Sequence, residues 1–220
     1  MNILLFTDLQ KIFIVTIILL TVVSVSRRNL ISLINTYAFQ SFILSLLVLL
    51  IFFEDKKIVL LYIALLTLIS KCLLVPVMLK RTQKSMGIYV DLDYTLFSPT
   101  TSIFMGLIIF GMIFFSFLGI KERLQVNSLN YISIVLGVSM ILIGMLIIVA
   151  RKKIITKIIG YLMMENGVVL LSIFIGDLPF LIEILILMDM LVLLAVTSVL
   201  GFGMDSSVEK FHDKLNPFHK

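Results

Sequence analysis

Four ionisable side chains lie inside stretches of this sequence that are otherwise almost entirely apolar. They are Lys71 in LTLISKCLLVPVML, Glu165 in YLMMENGVVLL, and Glu183 and Asp189 in LPFLIEILILMDMLVLL. A charged side chain at the centre of a bilayer costs roughly 2.5–3.5 kcal/mol on insertion scales, so such residues usually have a function. That function is most often the movement of protons or ions. We therefore predict that these four residues are proton-transfer candidates.

Three of the four charges fall at one depth, near the middle of the helices predicted to contain them. Glu165 is the central residue of its helix, Asp189 lies about one residue from the centre, and Lys71 lies two to three residues, or about 4 Å, from the centre. These three form a lateral array rather than a ladder across the bilayer. Glu183 precedes Asp189 by six residues, so their side chains point to faces about 120° apart and address different neighbours.

Such an array can bind and release protons. Burial and a neighbouring ammonium group act in opposite directions on the ionisation of a carboxyl group, so a carboxyl group subject to both can titrate near neutral pH. A lysine between carboxylates transmits a change of charge electrostatically in a low dielectric. We expect water molecules to bridge the gaps. The alternative is a buried lysine–carboxylate pair that only locks helices together and is often no more stable than an apolar substitute.

The composition requires a membrane. Of the 220 residues, 60% are hydrophobic and 14% are charged, and the mean hydropathy is +1.19, which is typical of a polytopic membrane protein. We predict an all-α bundle of about seven transmembrane helices, because a helix satisfies its own backbone hydrogen bonds in lipid. The predicted helices cover residues 4–25, 30–53, 58–79, 99–119, 129–150, 154–176 and 179–202.

The basic residues predict the orientation. With the N-terminus outside, 12 of the 18 lysines and arginines lie in cytoplasmic segments and five in outer segments, and Lys71 lies within the membrane. This is the positive-inside pattern, and it places the C-terminus in the cytoplasm. The net charge of +5 is therefore a topology signal and not a sign of a nucleic-acid partner. Residues 1–203 are predicted as one transmembrane domain and 204–220 as a polar cytoplasmic tail. The start, MNILLFTDLQK, lacks signal-peptide features, so the first helix is predicted to be retained.

We expect no cofactor or metal on this chain. The one cysteine, Cys72, excludes a disulfide framework, and an iron–sulfur cluster typically needs about four cysteines. The two histidines, His212 and His219, lie in the polar tail, so no pair of intramembrane histidines can ligate a haem or a transition metal. Any redox chemistry must take place in a partner. The chain also has no nucleophile–base pair or phosphate-binding loop, which argues against a stand-alone enzyme.

The connections and polar residues predict local packing. Two connections are very short, RKK before residue 154 and DLP before residue 179, so the last three helices should pack as antiparallel neighbours. The longest connection, from Arg81 to about Ser98, is predicted as a polar loop.

Pro76 should kink the third helix. Gly167 could loosen the helix around Glu165, but we favour a role in close helix packing.

Two further polar residues, Asn35 and Gln40, lie in the second predicted helix. Because interhelical hydrogen bonds help to hold transmembrane helices together, we predict that both side chains bond to neighbouring helices.

The blocks RKKIITKIIGYLMMENGVVLLSIF, LPFLIEILILMDMLVLLAV and GFGMDSSVEKF resemble hydrogenase-4 component E, a membrane subunit of energy-converting hydrogenase and formate hydrogenlyase complexes. The upstream blocks RRNLISLINTYAFQSFILSLLV and ALLTLISKCLLVPVMLKR resemble the same family, including its intramembrane lysine followed by a proline, here Lys71 and Pro76. The last three helices, with residues 154–203 as a hairpin, also resemble subunit K of NADH-quinone oxidoreductase. That subunit has a glutamate two residues after the glycine, whereas here Leu162 follows Gly160 at that spacing and Glu165 comes about one turn later.

The resemblance implies a proton-conducting and scaffolding subunit in the inner cell membrane. It would lie between a redox arm and large antiporter-like membrane subunits, with Glu165 in the central hydrophilic axis. Nickel–iron and iron–sulfur cofactors would then be held by partner subunits. Whether Glu183 or Asp189 matches the carboxylate of the next helix stays open.

Two other interpretations are compatible with the charges. One is a subunit of a multi-subunit cation/proton antiporter that has no redox partner. The other is a purely structural membrane subunit whose charges only fix helix pairing. The electron donor, the coupling ion and the stoichiometry would be determined by residues on other chains.

Overall fold

The computed structural model describes residues 2–86, 99–124, 128–151, 153–175, 184, 187–192, 194 and 198. Every element within them is helical, and six of the helices are long and apolar enough to cross a membrane. The elements are α1 (Asn2–Ser26), α2 (Leu30–Asp55), α3 (Ile58–Leu66), a π-helix (Thr67–Leu74), α4 (Val75–Met86), α5 (Pro99–Leu124), α6 (Ser128–Ala150) and α7 (Ile154–Ile175).

This architecture confirms the predicted all-α transmembrane bundle. The first six predicted helices are present, and of the seventh the structure describes a helical segment at residues 187–192. Two boundaries are wrong. Helix α4 continues to Met86 and so includes the start of the predicted Arg81–Ser98 loop, and α5 continues to Leu124, beyond its predicted end at residue 119. Residues 87–98 and the DLP connection lie outside the described residues.

Pro76 disturbs the third transmembrane helix in a specific way. A proline cannot donate a backbone hydrogen bond, and its ring crowds the preceding turn. The chain responds with the π-helix Thr67–Leu74, which ends just before the proline with the Val75 N–H bonded to the Ser70 carbonyl, five residues back. In the continuous helical span from Ile58 to Lys84, Lys71 has thirteen residues on either side. Lys71 thus lies near the middle of its helix, as predicted.

Helices α6 and α7 form the tightest pair in the bundle, and glycines line their contact. A methyl group added at Gly144 would lie 2.6 Å from the Gly160 carbonyl oxygen, and one added at Gly167 would lie 2.7 Å from the Gly137 carbonyl oxygen. Both distances are too short for any side chain. The glycines recur at a spacing of seven residues on each helix, which keeps them on one face. The predicted packing role of Gly167 and the predicted antiparallel pairing of these helices are confirmed.

A buried arginine fastens this hairpin to the first helix. Arg151 follows α6, is 2% exposed, and its Nη2 donates to the carbonyl oxygens of Val25 at 3.1 Å and Arg27 at 2.8 Å. The last carbonyl groups of a helix have no partner within the helix, so a cation that donates to them satisfies them and complements the helix dipole. Arg151 thereby joins the end of α1 to the turn between α6 and α7.

Two apolar clusters, one at each end of the bundle, are separated by a buried layer of polar side chains. On α2, Ile34 and Tyr37 belong to one cluster and Leu44 and Leu47 to the other. Helix α1, the helix that carries the π-helical turn, and α7 are divided in the same way. Each contributes one of its ends to one cluster and its other end to the second cluster. The polar layer consists of side chains that are each at most 2% exposed, namely Thr21, Gln40, Ser41, Thr67, Lys71, Glu165 and Asn166.

The two ends of the bundle differ in charge. Among the described residues, all charged side chains at the end that carries Arg27 are cationic. They are Arg27, Arg28, Lys80, Arg81, Lys84, Arg151, Lys153 and Lys157. The opposite end carries both signs and has ion pairs between Lys11 and Asp8 at 2.9 Å and between Lys57 and Asp55 at 3.9 Å. The positive-inside rule predicts that the end with Arg27 faces the cytoplasm, and this orientation stays a prediction.

Candidate functional site

The centre of the polar layer is an ion pair between two of the predicted residues. Lys71 Nζ lies 2.9 Å from Glu165 Oε1, and both side chains are 1% exposed. Lys71 is in the π-helix, and Glu165 lies near the middle of α7, eleven residues from Ile154 and ten from Ile175. The pair is in direct contact, so the water that we expected between array members is not needed between these two.

Asp189 completes the lateral array. It lies on the helical segment 187–192, is 6% exposed, and interacts electrostatically with Glu165. Its two oxygens make no hydrogen bond of good geometry within the part of the chain that the structure describes. Glu165 thus interacts with both a lysine and a second carboxyl group. Glu183, the fourth predicted residue, lies outside the described residues.

Two tyrosines border the carboxyl groups. Tyr37 of α2 is fully buried and interacts electrostatically with Glu165 and Asp189. Tyr161 of α7 lies one turn before Glu165, is also within electrostatic range of both carboxyl groups, and its hydroxyl contacts the Met188 sulfur. The Tyr161 contact helps to fix the segment that carries Asp189. Our sequence reasoning missed both residues, although Tyr161 shares a helix face with Glu165 by its spacing of four.

The polar layer continues away from the charges towards α1. Asn166 Nδ2 donates to Ser41 Oγ at 2.9 Å, and Gln40 Nε2 donates to Thr21 Oγ1 at 2.7 Å. The Gln40 bond joins α2 to α1, which confirms its predicted role between helices. The same prediction is wrong for Asn35, which is exposed on the surface of α2.

Two acceptors in this part of the layer have no protein partner. Asn166 Oδ1 and Gln40 Oε1 are fully buried and accept no hydrogen bond from the described residues. A buried polar atom without a partner is costly, and such atoms are commonly satisfied by ordered water. Water molecules bound at Asn166 Oδ1 and Gln40 Oε1 would satisfy both atoms.

The arrangement can hold one exchangeable proton. Two carboxylates and one ammonium group in a low dielectric leave one negative charge without compensation. One proton bound to either carboxyl group removes that charge, and its loss restores it. Moving a proton on or off Glu165 or Asp189 thus changes the field at Lys71, which lies in direct contact with Glu165.

Metal ligands do not converge anywhere in the part of the chain that the structure describes. No group of three or more His, Cys, Asp or Glu side chains is arranged to hold an ion within it. Cys72, directly after Lys71, is partly buried and is not disulfide-bonded. The histidines of the tail lie outside the described residues.

The fold and the site define a multi-pass membrane protein with a buried lysine–glutamate pair near the middle of its apolar helices. No family model, no curated protein and no solved structure matches the chain.

Proposed function

We propose that this chain is a membrane subunit of a complex-I-like energy-converting hydrogenase complex. In that complex its buried charges take part in proton translocation, and its helices connect a redox arm with antiporter-like membrane subunits. The observation that carries the proposal is the position of Glu165, in direct contact with Lys71 and beside Asp189, at the centre of the membrane-spanning bundle.

The energetics favour a role beyond helix pairing. A single ion pair would fix the register of two helices, whereas here a second carboxyl group lies beside the pair and leaves the charge unbalanced. Unbalanced buried charge is costly and is found mainly where charge must move. The unpartnered amide oxygens of Asn166 and Gln40 support the proposal, because ordered water that satisfied them would supply the hydration that proton exchange requires.

The sequence blocks provide the second line of support. The block GYLMMENG with the downstream E-x5-D spacing resembles hydrogenase-4 component E, and so does the pair Lys71 and Pro76. In this interpretation the partners are antiporter-like membrane subunits together with subunits that carry nickel–iron and iron–sulfur centres. Electron transfer in those subunits would shift the protonation of the buried cluster.

Affinity purification from the native membrane in mild detergent, followed by mass spectrometry, tests the assembly. We expect hydrogenase or iron–sulfur subunits together with antiporter-like chains. Antiporter-like chains without a redox protein, combined with sodium-dependent proton flux that needs no electron donor, would identify a cation/proton antiporter instead. A lone chain or a homo-oligomer would contradict both assemblies.

A purely structural role is the second candidate, and the direct 2.9 Å contact between Lys71 and Glu165 favours it. The double substitution Lys71→Met with Glu165→Met distinguishes the two roles. Replacing both partners of a buried pair with apolar residues is often neutral or stabilising, so we expect the complex to assemble. If the charges carry protons, flux per assembled complex falls to background. If they only pair helices, flux is retained.

A further inference from the structure

A groove on the surface of the bundle combines one cation, several neutral polar groups and an apolar floor. It has a volume of about 460 Å³ and lies between the end of α1 and the first turns of α2. Arg27, Asn29 and Ser32 line its outer part, Asn35 lies deeper, and Ile31 and Phe39 provide apolar lining. It lies at the end of the bundle where every described charge is positive.

The polar groups extend into the membrane from the cationic end. Arg27 and Asn29 are exposed, and the Asn29 side-chain oxygen accepts from the Ile31 N–H at 3.0 Å, which leaves the Asn29 amide nitrogen as a donor. Asn35 is exposed about 7.5 Å along α2 from Leu30, at a rise of ~1.5 Å per residue. An amide group facing hydrocarbon without a partner is unfavourable. The groove therefore presents donors where a headgroup would lie.

Two accessible apolar side chains contribute to the lining. Ile31, near the outer end, is 40% exposed, and Phe39, at the deep end, is 50% exposed. Phe39 lies about 13.5 Å along α2 from Leu30, a depth reached by acyl chains. The order along the groove, from cation to neutral donors to apolar side chains, matches the order of groups along a phospholipid.

We propose that this groove binds one anionic phospholipid. Arg27 holds its phosphate, Asn29 and Ser32 donate to headgroup and glycerol oxygens, and an acyl chain lies against Phe39. Charge favours an anionic lipid, because no carboxylate lies among the described residues that line the groove and every charged residue described at this end is cationic. Basic clusters at a membrane surface attract anionic lipid by about 1 kcal/mol per side chain.

The test is native mass spectrometry of the full-length chain in detergent with phosphatidylglycerol or phosphatidylcholine of identical acyl chains. We expect one retained phosphatidylglycerol and little phosphatidylcholine. Arg27→Gln should weaken retention about fivefold, equivalent to about 1 kcal/mol. Arg28→Gln is the matched control, because Arg28 is an exposed neighbour that is not among the residues lining the groove. Asn35→Leu should also weaken retention, although it removes no charge.

Three results would overturn the proposal. Equal effects of Arg27→Gln and Arg28→Gln would indicate a diffuse attraction to the cationic end. Equal retention of the two lipids would remove the phosphate from the recognition. A photo-crosslinker at position 39 that captures a protein rather than lipid in the native membrane would assign the groove to a partner helix. None of these results depends on the proposed role in proton translocation.

Discussion

Glu165→Gln is expected to abolish proton translocation in membranes that contain the native complex. Glutamine has nearly the same shape as glutamate and keeps an oxygen that can face Lys71, but it cannot bind and release a proton. The substitution also leaves Lys71 without its counter-ion at 1% exposure, so the field at the centre of the bundle changes as well. Proton uptake by inverted vesicles, followed with a pH-sensitive dye, measures the effect.

Glu54→Gln is the matched control for this experiment. It makes the same chemical change at the mixed-charge end of the bundle, where Glu54 accepts a bond of 2.7 Å from Gln10. Removing one partner of a buried ion pair costs about 3–5 kcal/mol in other proteins, so flux must be expressed per assembled complex. Unchanged flux in Glu165→Gln, at equal assembly, would remove Glu165 from the mechanism.

Gly144→Ala is expected to destabilise the bundle, although alanine normally favours a helix over glycine. The new methyl group would lie 2.6 Å from the Gly160 carbonyl oxygen and 2.5 Å from Met164 Cγ. Relief requires α6 and α7 to separate, and overpacking of this kind typically costs about 1–3 kcal/mol. Thermal unfolding of the purified chain in detergent, followed by circular dichroism, should show a lower midpoint.

Gly111→Ala on α5 provides the opposite expectation. A methyl group at Gly111 has nothing within 4 Å among the described atoms. The midpoint should therefore stay the same or rise, since alanine gains up to ~1 kcal/mol of helix propensity over glycine. Equal midpoints for Gly144→Ala and the wild type would mean that α6 and α7 are not held at this distance.

The helical spans could be predicted from the sequence because hydrophobicity and length alone determine whether a helix can cross the bilayer. The position of Glu165 near the middle of its helix followed from the same reasoning. The end of the third transmembrane helix was misjudged because α4 continues through Lys80 and Arg81, whose charges resemble a helix end in the sequence. Long basic side chains can reach a membrane surface from a continuing helix, a behaviour that charge counting does not capture.

Contacts between helices were harder to predict. Which residues meet depends on the rotation of each helix about its axis, and a chain that is apolar on nearly every face gives little periodic signal for that rotation. Tyr37 was therefore missed, although it lies beside the two carboxyl groups. The π-helix at Lys71 was also missed, because Pro76 predicts a disturbance but not whether it becomes a bend or a wider turn.

The close fit between α6 and α7 has a consequence for how the chain enters the membrane during synthesis. The α6 span has the highest mean hydropathy of the six, 2.9, and the α7 span, which carries Glu165 and Asn166, has the lowest, 1.5. A strongly apolar span partitions into lipid by itself, whereas one with a buried charge gains from a partner. Because only three residues separate the two helices, we expect them to leave the translocation machinery together. The glycine face of α6 would then receive α7 before Lys71 becomes its partner.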